Sequence, residues 1–433
     1  MHIQSVHIDN FRRFERFDCE LDPRLTLLMG VNGAGKSSLL KAISLPIAGF
    51  IARVLDTPAQ RASLHFEMDD VRQIHLADPA GELWRTPVLP SLVRIGVDAF
   101  GASHQFTQEH DPLGAFFSAE FDPHYAHALA GSAEFSGARS WFQPGNASAI
   151  PLFARFGAQN VQGSPRANSL QKPFENKQQI WERFSNDEVD IGVLAQWFQY
   201  NELRTLQEGK PPLIYAAVKG SVLASMHASD IKYVVRDNQL MVLHDDHGWR
   251  PFHQLSDGQK RLAAIYMELA IRAATLNSHL GANCVAETPG IVLIDELDLH
   301  LHPQWQRSVI ENLLTVFPKL QFIVASHSPF LIQAALERGA VIDMATGQRA
   351  TTADHSIEDI AENVMGVDQP QRSQRFLEMR RLAQDYLELL ETPAATPEAK
   401  AALKARLDLA LSVFADDPAA AAWLSQRRVV KGL

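Results

Sequence analysis

Cysteine is nearly absent from this 433-residue chain: Cys19 and Cys284 are its only two, and no C-x-x-C pair occurs. That argues against a disulfide scaffold or a cysteine-ligated zinc site, and two reduced, buried thiols are expected. Long apolar runs are also missing. No stretch approaches the ~20 apolar residues that span a bilayer. Met1-His2-Ile3-Gln4-Ser5 lacks the basic start and apolar core of a secretory signal. No membrane partner is expected, and the expected location is cytoplasmic. Positive charge is in deficit: 40 Lys and Arg face 50 Asp and Glu, for a formal net charge of −10. A surface coated in positive charge is excluded, whereas a local basic groove is not. Internal repeats are lacking too. What remains is a chain with 46% hydrophobic and 21% charged residues. It can bury a core, and its length suits about two or three domains.

The most informative stretch is Gly30-Val31-Asn32-Gly33-Ala34-Gly35-Lys36-Ser37, which fits G-x-x-x-x-G-K-[ST]. An apolar run, Leu25 to Met29, precedes it, and a helix-like segment starting at Ser38 follows it. Strand, glycine loop and helix together make a phosphate cradle. The glycines let backbone N–H groups converge on anionic oxygens, and the helix start adds partial positive charge. Lys36 can reach β- and γ-phosphates, and the Ser37 hydroxyl can hold Mg²⁺.

The remainder divides unevenly. Residues 46 to about 175 are punctuated by prolines from Pro46 to Pro173, so long helices are not expected there. Leu92–Val97 and Pro151–Phe156 read as short strands. Residues 157–173 read as a loop. Residues 178–208 read as helical, and Ile231–Leu243 as two strands around Asp237-Asn238. In the last part, Phe376, Met379, Ala383, Tyr386 and Leu390 share a helix face, and a second helix is expected from Pro397 to Phe414. Arg372, Arg375, Arg380 and Arg381 form a basic cluster, most simply a solvated helix face.

Ile291-Val292-Leu293-Ile294-Asp295-Glu296 is apolar at four positions and then acidic at two. Such a run suits a strand buried on both faces of a parallel sheet, whose sites lie beyond the carboxyl ends of the strands. A second run, Phe322–Ala325, ends in Ser326-His327-Ser328-Pro329. Beside a phosphate loop, Asp295 reads as a Mg²⁺-linked carboxylate, Glu296 as the water-activating one, and His327 as a γ-phosphate sensor. Leu255-Ser256-Asp257-Gly258-Gln259 has the S-x-x-Q spacing of a capping box before a helix. A helix start with a free hydroxyl can also bind an anion, including one presented by another subunit. His300 and His302 are two apart and would not share a helix face, which weighs against a transition-metal site.

Taken together, Gly30–Ser37, Leu255–Gln259, Leu293–Glu296 and Ser326–His327 resemble an ABC-type ATPase head of the RecF, Rad50 and SMC kind. Ile8 to Phe14, which contains Asn10-Phe11-Arg12, is similar to the N-terminal "NFR" element of those proteins. The D-E-x-D-x-H-L-H-P stretch from Asp295 to Pro303 is similar to the bacterial "predicted ATP-binding protein" group. The same pattern marks ATPase subunits of anti-phage systems such as Septu-type PtuA. The resemblance implies an α/β P-loop NTPase fold, an ABC-type head with a mixed or parallel sheet. The head would comprise residues 1–45 and 250–345, with 46–249 an inserted lid or arm and 356–433 a helical C-terminal region.

By the same resemblance, ATP and Mg²⁺ are the ligands. Asn32, Gly33, Ala34, Gly35, Lys36, Ser37 and Ser38 would cradle phosphate, with Arg12 a further phosphate contact. Ser37 and Asp295 would belong to the metal site, and Lys36, Glu296 and His327 would be catalytic. Ser256, Gly258 and Gln259 would act in trans, Asp298 would lie near a dimer seam, and Gln159 is the candidate to complete the Mg²⁺ shell. Implied partners are a second copy, as a homodimer or a higher oligomer of dimers, and a separate HNH-like nuclease effector, with nucleic acid as a further candidate. Between Ser37 and Leu255 prolines recur and no heptads are sustained, so a long coiled-coil tether is excluded. Residues 345–433 lack the strand-then-acidic pattern of a Toprim nuclease, so the chain itself is not expected to cut DNA. The rival readings are a RecF-like DNA-binding repair ATPase and, more remotely, the nucleotide-binding subunit of a transporter.

Overall fold

A computed structural model of the chain describes residues 1–55, 66–77, 83–99, 102–110, 138–143, 145–158, 161–163, 173–174, 176–226, 228–246, 248–350, 356–365, 374–391, 396, 401–406 and 409. It divides into two units, Met1–Ile357 and Glu358–Leu433.

In the first unit, β1 (His2–Phe11) and β2 (Phe14–Glu20) form an antiparallel hairpin, followed by β3 (Leu25–Met29) and α1 (Lys36–Leu55). Next come β4 (Ser91–Ala99), β5 (Ala102–His110) and β6 (Leu152–Phe156). The helices α2 (Ile191–Glu208), α3 (Leu213–Met226) and α4 (Asp257–Leu276) follow. The unit then alternates β7 (Gly290–Ile294), α5 (Pro303–Val316), β8 (Leu320–Ala325), α6 (Pro329–Arg338) and β9 (Ala340–Asp343).

Two sheets organise these elements. One is antiparallel, in the order β2-β1-β4-β5; the other is parallel throughout, in the order β9-β3-β8-β7-β6. Composition explains the difference. In β4, Val93, Ile95 and Val97 are buried while Arg94 is exposed, the alternation of a sheet with one covered face. Every residue of β3, β7 and β8 is buried, as a parallel sheet covered on both faces requires.

Helix α1 packs against β4 and β5 on one side and β7 and β8 on the other. It therefore runs between the sheets, and most of its residues are buried. It is also long and apolar enough to cross a membrane, which core burial accounts for here. The prolines after residue 45 led us to expect no long helix, yet α1 continues through Pro46 to Leu55. A proline inside a helix costs ~3 kcal/mol. Burial of Leu45, Ile47, Phe50, Ile51 and Val54 against two sheets offsets that, at roughly 1.5–3 kcal/mol per large apolar side chain.

Helix α4 packs on α2, α3 and β6. A charged triad fixes it there: the buried Glu268 carboxylate accepts from buried Arg272 at 2.7 Å and from half-buried Arg183 at 3.2 Å, and Arg272 also donates to the Phe153 carbonyl at 3.2 Å. Burial alone would raise the Glu268 carboxyl, but Arg272 and Arg183 hold it below its ordinary value.

The expected pair of strands around Asp237-Asn238 is present as Asp230–Val234 and Gln239–His244, joined by a third strand, Gly248–Pro251. The expected helix over 178–208 is broken. Lys177–Glu182 ends in a short turn, and α2 restarts at Ile191 behind the Asp190 cap, whose side chain accepts from the Gly192 N–H.

In the second unit, α7 (Gln374–Glu391) buries Phe376 and Met379. The side chains at 375, 383, 386 and 390, the residues Gln159 and Arg372, and all of 397–414 but 401–406 and 409 lie outside the described residues.

Candidate nucleotide site

Strands β3, β8 and β7 are consecutive neighbours in the parallel sheet. Their carboxyl ends deliver three pieces to one edge: the glycine loop after Met29, the turn Ser326-His327-Ser328 and the acidic pair Asp295-Glu296. Backbone bonds extend the sheet into these loops. The Ser326 N–H donates to the Leu28 carbonyl at 3.3 Å, Leu297 to Ala325 at 3.2 Å, and Asp295 to Phe156 at 2.8 Å.

The loop closes tightly, with the Ala34 N–H donating to the Val31 carbonyl at 3.0 Å. Gly35 has a φ of +99°, and a Cβ there would stand 2.6 Å from the Phe14 ring and 2.8 Å from Arg13 Cδ. No side chain fits. Asn32, Gly33 and Ser37 are exposed, Ser38 is half-buried and Ala34 is buried. The first backbone N–H groups of α1 have no intrahelical partner and face the loop, the arrangement that binds phosphate.

Lys36 is 6% exposed. Its ammonium donates to the Gly30 carbonyl at 2.9 Å and the Val31 carbonyl at 3.3 Å, and lies 3.5 Å from His327 Nδ1. Burial lowers its pKa, while Asp295, Asp298 and Glu296 push it back up. The His327 pKa is lowered by burial and by Lys36, against the pull of the same three carboxylates. An ammonium has only donors to offer. Nδ1 therefore accepts, and the proton of the neutral ring sits on Nε2, free to donate to an incoming oxygen.

Asp295 Oδ1 is buried with no hydrogen-bond partner among the described residues. An orphaned carboxylate oxygen beside a phosphate loop suits a hard divalent cation. With the exposed Ser37 hydroxyl it supplies the oxygen donors that Mg²⁺ prefers, so these residues fit the ion. Glu296 has a φ of +49°, a left-handed conformation costing on the order of 1–3 kcal/mol in a non-glycine residue. Its carbonyl is held by the Leu299 N–H at 3.0 Å and by Arg261.

Ser256 caps α4 as its spacing predicted. Its hydroxyl accepts from the Gln259 N–H at 3.3 Å, and the Gln259 side chain accepts from the Ser256 N–H at 3.1 Å. Ser256 remains exposed. Gly258 is buried, and a Cβ there would overlap the His300 carbonyl, so the helix start rests against the loop that follows the acidic pair. His302 caps α5, its Nδ1 accepting from the Gln304 N–H at 3.3 Å.

Two neighbouring arginines take different partners. Arg12, the expected phosphate contact, donates from Nε to Asp70 at 2.9 Å, and Lys41 reaches the same fully buried carboxylate at 2.9 Å. The arginine that touches the phosphate loop is Arg13, which donates to the Gly33 carbonyl. Both occupy the β1–β2 turn, and only the turn's geometry distinguishes them. Arg261 was also missed. It is 5% exposed and donates to the carbonyls of Glu296, Asp295 and Gly157. Its only sequence signal was a basic residue one turn into a capped helix.

A phosphate loop, an acidic pair and a histidine on adjacent parallel strands, with a capped helix start against the acidic loop, define a P-loop ATPase. The sequence model of the family described as "AAA domain, putative AbiEii toxin, Type IV TA system" matches residues 101–333. That is more than half of the chain, and the chain belongs to this family of AAA ATPases. A second model, "AAA ATPase domain", matches residues 1–48, which carry the phosphate loop.

Among curated proteins, the chain is similar to the "Retron Ec83 probable ATPase" of Escherichia coli, with 24% identity over 76% of this chain and 69% of that one. It is 28% identical to "Septu protein PtuA" of Bacillus thuringiensis over 54% of this chain and 63% of that one. The "Retron Vc95 probable ATPase" of Vibrio cholerae is 45% identical over 18% of this chain, a stretch spanning 15% of that protein's length. Of solved structures, the "SMC head domain from Thermotoga maritima" aligns at 14% identity and a TM-score of 0.42, covering 82% of this chain and 100% of that one. A likeness at that score adds nothing to the sheet order already described.

Proposed function

We propose that this chain hydrolyses ATP in a pocket completed by a second copy, and that ATP-dependent pairing switches a separate nuclease effector in anti-phage defence. The observation that carries the reading is the convergence of Lys36, Asp295, Glu296 and His327 at one sheet edge, with Ser256 exposed at a capped helix start. The loop N–H groups and Lys36 hold the β- and γ-phosphates. Glu296 orients and polarises the attacking water, and His327 donates Nε2–H to the γ-phosphate. Ser37 and Asp295 would hold Mg²⁺, which when bound would offset phosphate charge. Ser256, Gly258 and Gln259 of the second copy close over the same γ-phosphate. Hydrolysis removes that bridge, and the copies separate. The retron and Septu relatives support a defence role, and an HNH-like nuclease is the partner class that the family resemblance implies.

The deciding experiment compares Lys36→Ala and Glu296→Gln in phosphate release and in light scattering with ATP. Lys36→Ala should lose turnover and pairing together. Glu296→Gln should lose turnover and keep the ATP-bound pair. Normal turnover in either variant would remove that residue's assigned role. The DNA-repair reading is tested with a gel shift on duplex and gapped DNA across a salt series. Tight, salt-dependent binding without a partner would favour it.

A further inference from the structure

Gln306, one turn into α5, is joined at both ends of its amide. Nε2 donates to the Leu301 carbonyl at 2.9 Å and lies 3.4 Å from the Asp298 carbonyl, while Oε1 accepts from the Ser328 hydroxyl at 2.6 Å. A second arm runs alongside. The Ser326 hydroxyl donates to Asp298 at 2.6 Å and accepts from the Ser328 N–H at 2.9 Å. Ser326 is fully buried and Ser328 is 5% exposed, so water does not substitute readily for these bonds. The two arms bracket His327 and tie its turn to the loop 298–301. That loop is the one against which Gly258 rests.

We propose that Gln306 is a positioning residue that couples the 298–302 loop to His327. Resting on the ATPase reading above, this deepens it. A displacement of the loop by a second copy moves the Leu301 and Asp298 carbonyls, and the glutamine transmits the shift through Ser328 to the histidine. An amide of this length does this because the loop end needs a donor and the serine end an acceptor. Methionine has similar length and offers neither hydrogen bond, while glutamate keeps the acceptor and loses the donor.

The test is a double-mutant cycle on the full chain with Gln306→Met and His327→Ala, reading phosphate release, affinity for a fluorescent ATP analogue and melting temperature. Gln306→Met should lower kcat about tenfold and change nucleotide affinity by less than about twofold, since misplacement of a catalytic group acts on turnover. The double variant should be no slower than His327→Ala alone. Ser326→Ala cuts the other arm, should follow the same pattern and serves if Gln306→Met does not fold. Unchanged turnover in the arm variants, or losses that multiply with that of His327→Ala, would overturn the coupling. Full turnover in His327→Ala would instead overturn the histidine's assignment and the coupling with it, a failure that leaves the Lys36→Ala result untouched.

Discussion

Arg261 grips the loop that carries Glu296: its Nη1 donates to the Glu296 carbonyl, and its Nη2 to the Asp295 carbonyl at 2.7 Å. The capped helix and the acidic pair are therefore one mechanical piece. Burial depresses the guanidinium pKa, and Asp298, Glu296 and Asp295 oppose that. The left-handed backbone at Glu296 persists because its carbonyl is pinned from two sides.

Arg261→Ala should destabilise the fold by about 3 kcal/mol, because it removes the donor shared by three carbonyls and a charge from among three acids. Arg261→Lys keeps the charge but cannot span three carbonyls. Its melting temperature should fall less than that of Arg261→Ala, while its turnover drops on the order of tenfold through a misplaced Glu296. Calorimetry with phosphate release checks both.

Gly258→Val places a side chain where the His300 carbonyl stands. The helix start must move away from the 298–302 loop, taking Ser256 with it. ATP-dependent association in light scattering should weaken at least about tenfold, while binding of a fluorescent nucleotide by the single chain stays within about twofold, since this glycine does not touch the phosphate loop.

The depressed pKa of His327 sets a pH dependence. The ring stays neutral at pH 7 and keeps its Nε2 proton for donation. A pH–rate profile should carry no histidine limb at the ordinary pKa of 6.5, and that limb should appear only below it. The sign for stability agrees. The unfolded chain takes up this proton at 6.5 and the folded chain only at lower pH, so stability is intact above 6.5 and declines as pH falls beneath it. In His327→Ala, the His327 part of that acid-side decline in melting temperature should vanish.

Several parts of this protein were readable from local pattern. The glycine loop, the apolar-then-acidic run at Ile291–Glu296 and the S-x-x-Q cap each carry chemistry in consecutive residues, and each lies where that pattern implies. Failures occurred where distant burial overrode a local signal. Pro46 reads as a helix stop, yet α1 passes through it because two sheets cover it. The short strand expected over Pro151–Phe156 is present at Leu152–Phe156, and what the pattern left open is its partner, since it pairs with β7 as an edge of the parallel sheet.

Arg12 and Arg13 are the same residue type at adjacent positions of one turn. The buried Asp70 carboxylate, 58 residues away, pairs with the first, while the second reaches the Gly33 carbonyl. Gln306 carries no signal at all, because its role lies in three backbone and hydroxyl partners that the chain brings to it from two loops.

Local structure in this chain was thus legible wherever particular residue types recur at short spacing, because backbone geometry translates such spacing directly into a glycine loop, a cap or a strand end. The division of labour among chemically equivalent side chains was settled by long-range packing. Which arginine meets an acid, which oxygen stays unpaired and which amide bridges two loops depend on partners distant in sequence, and no local pattern encodes them.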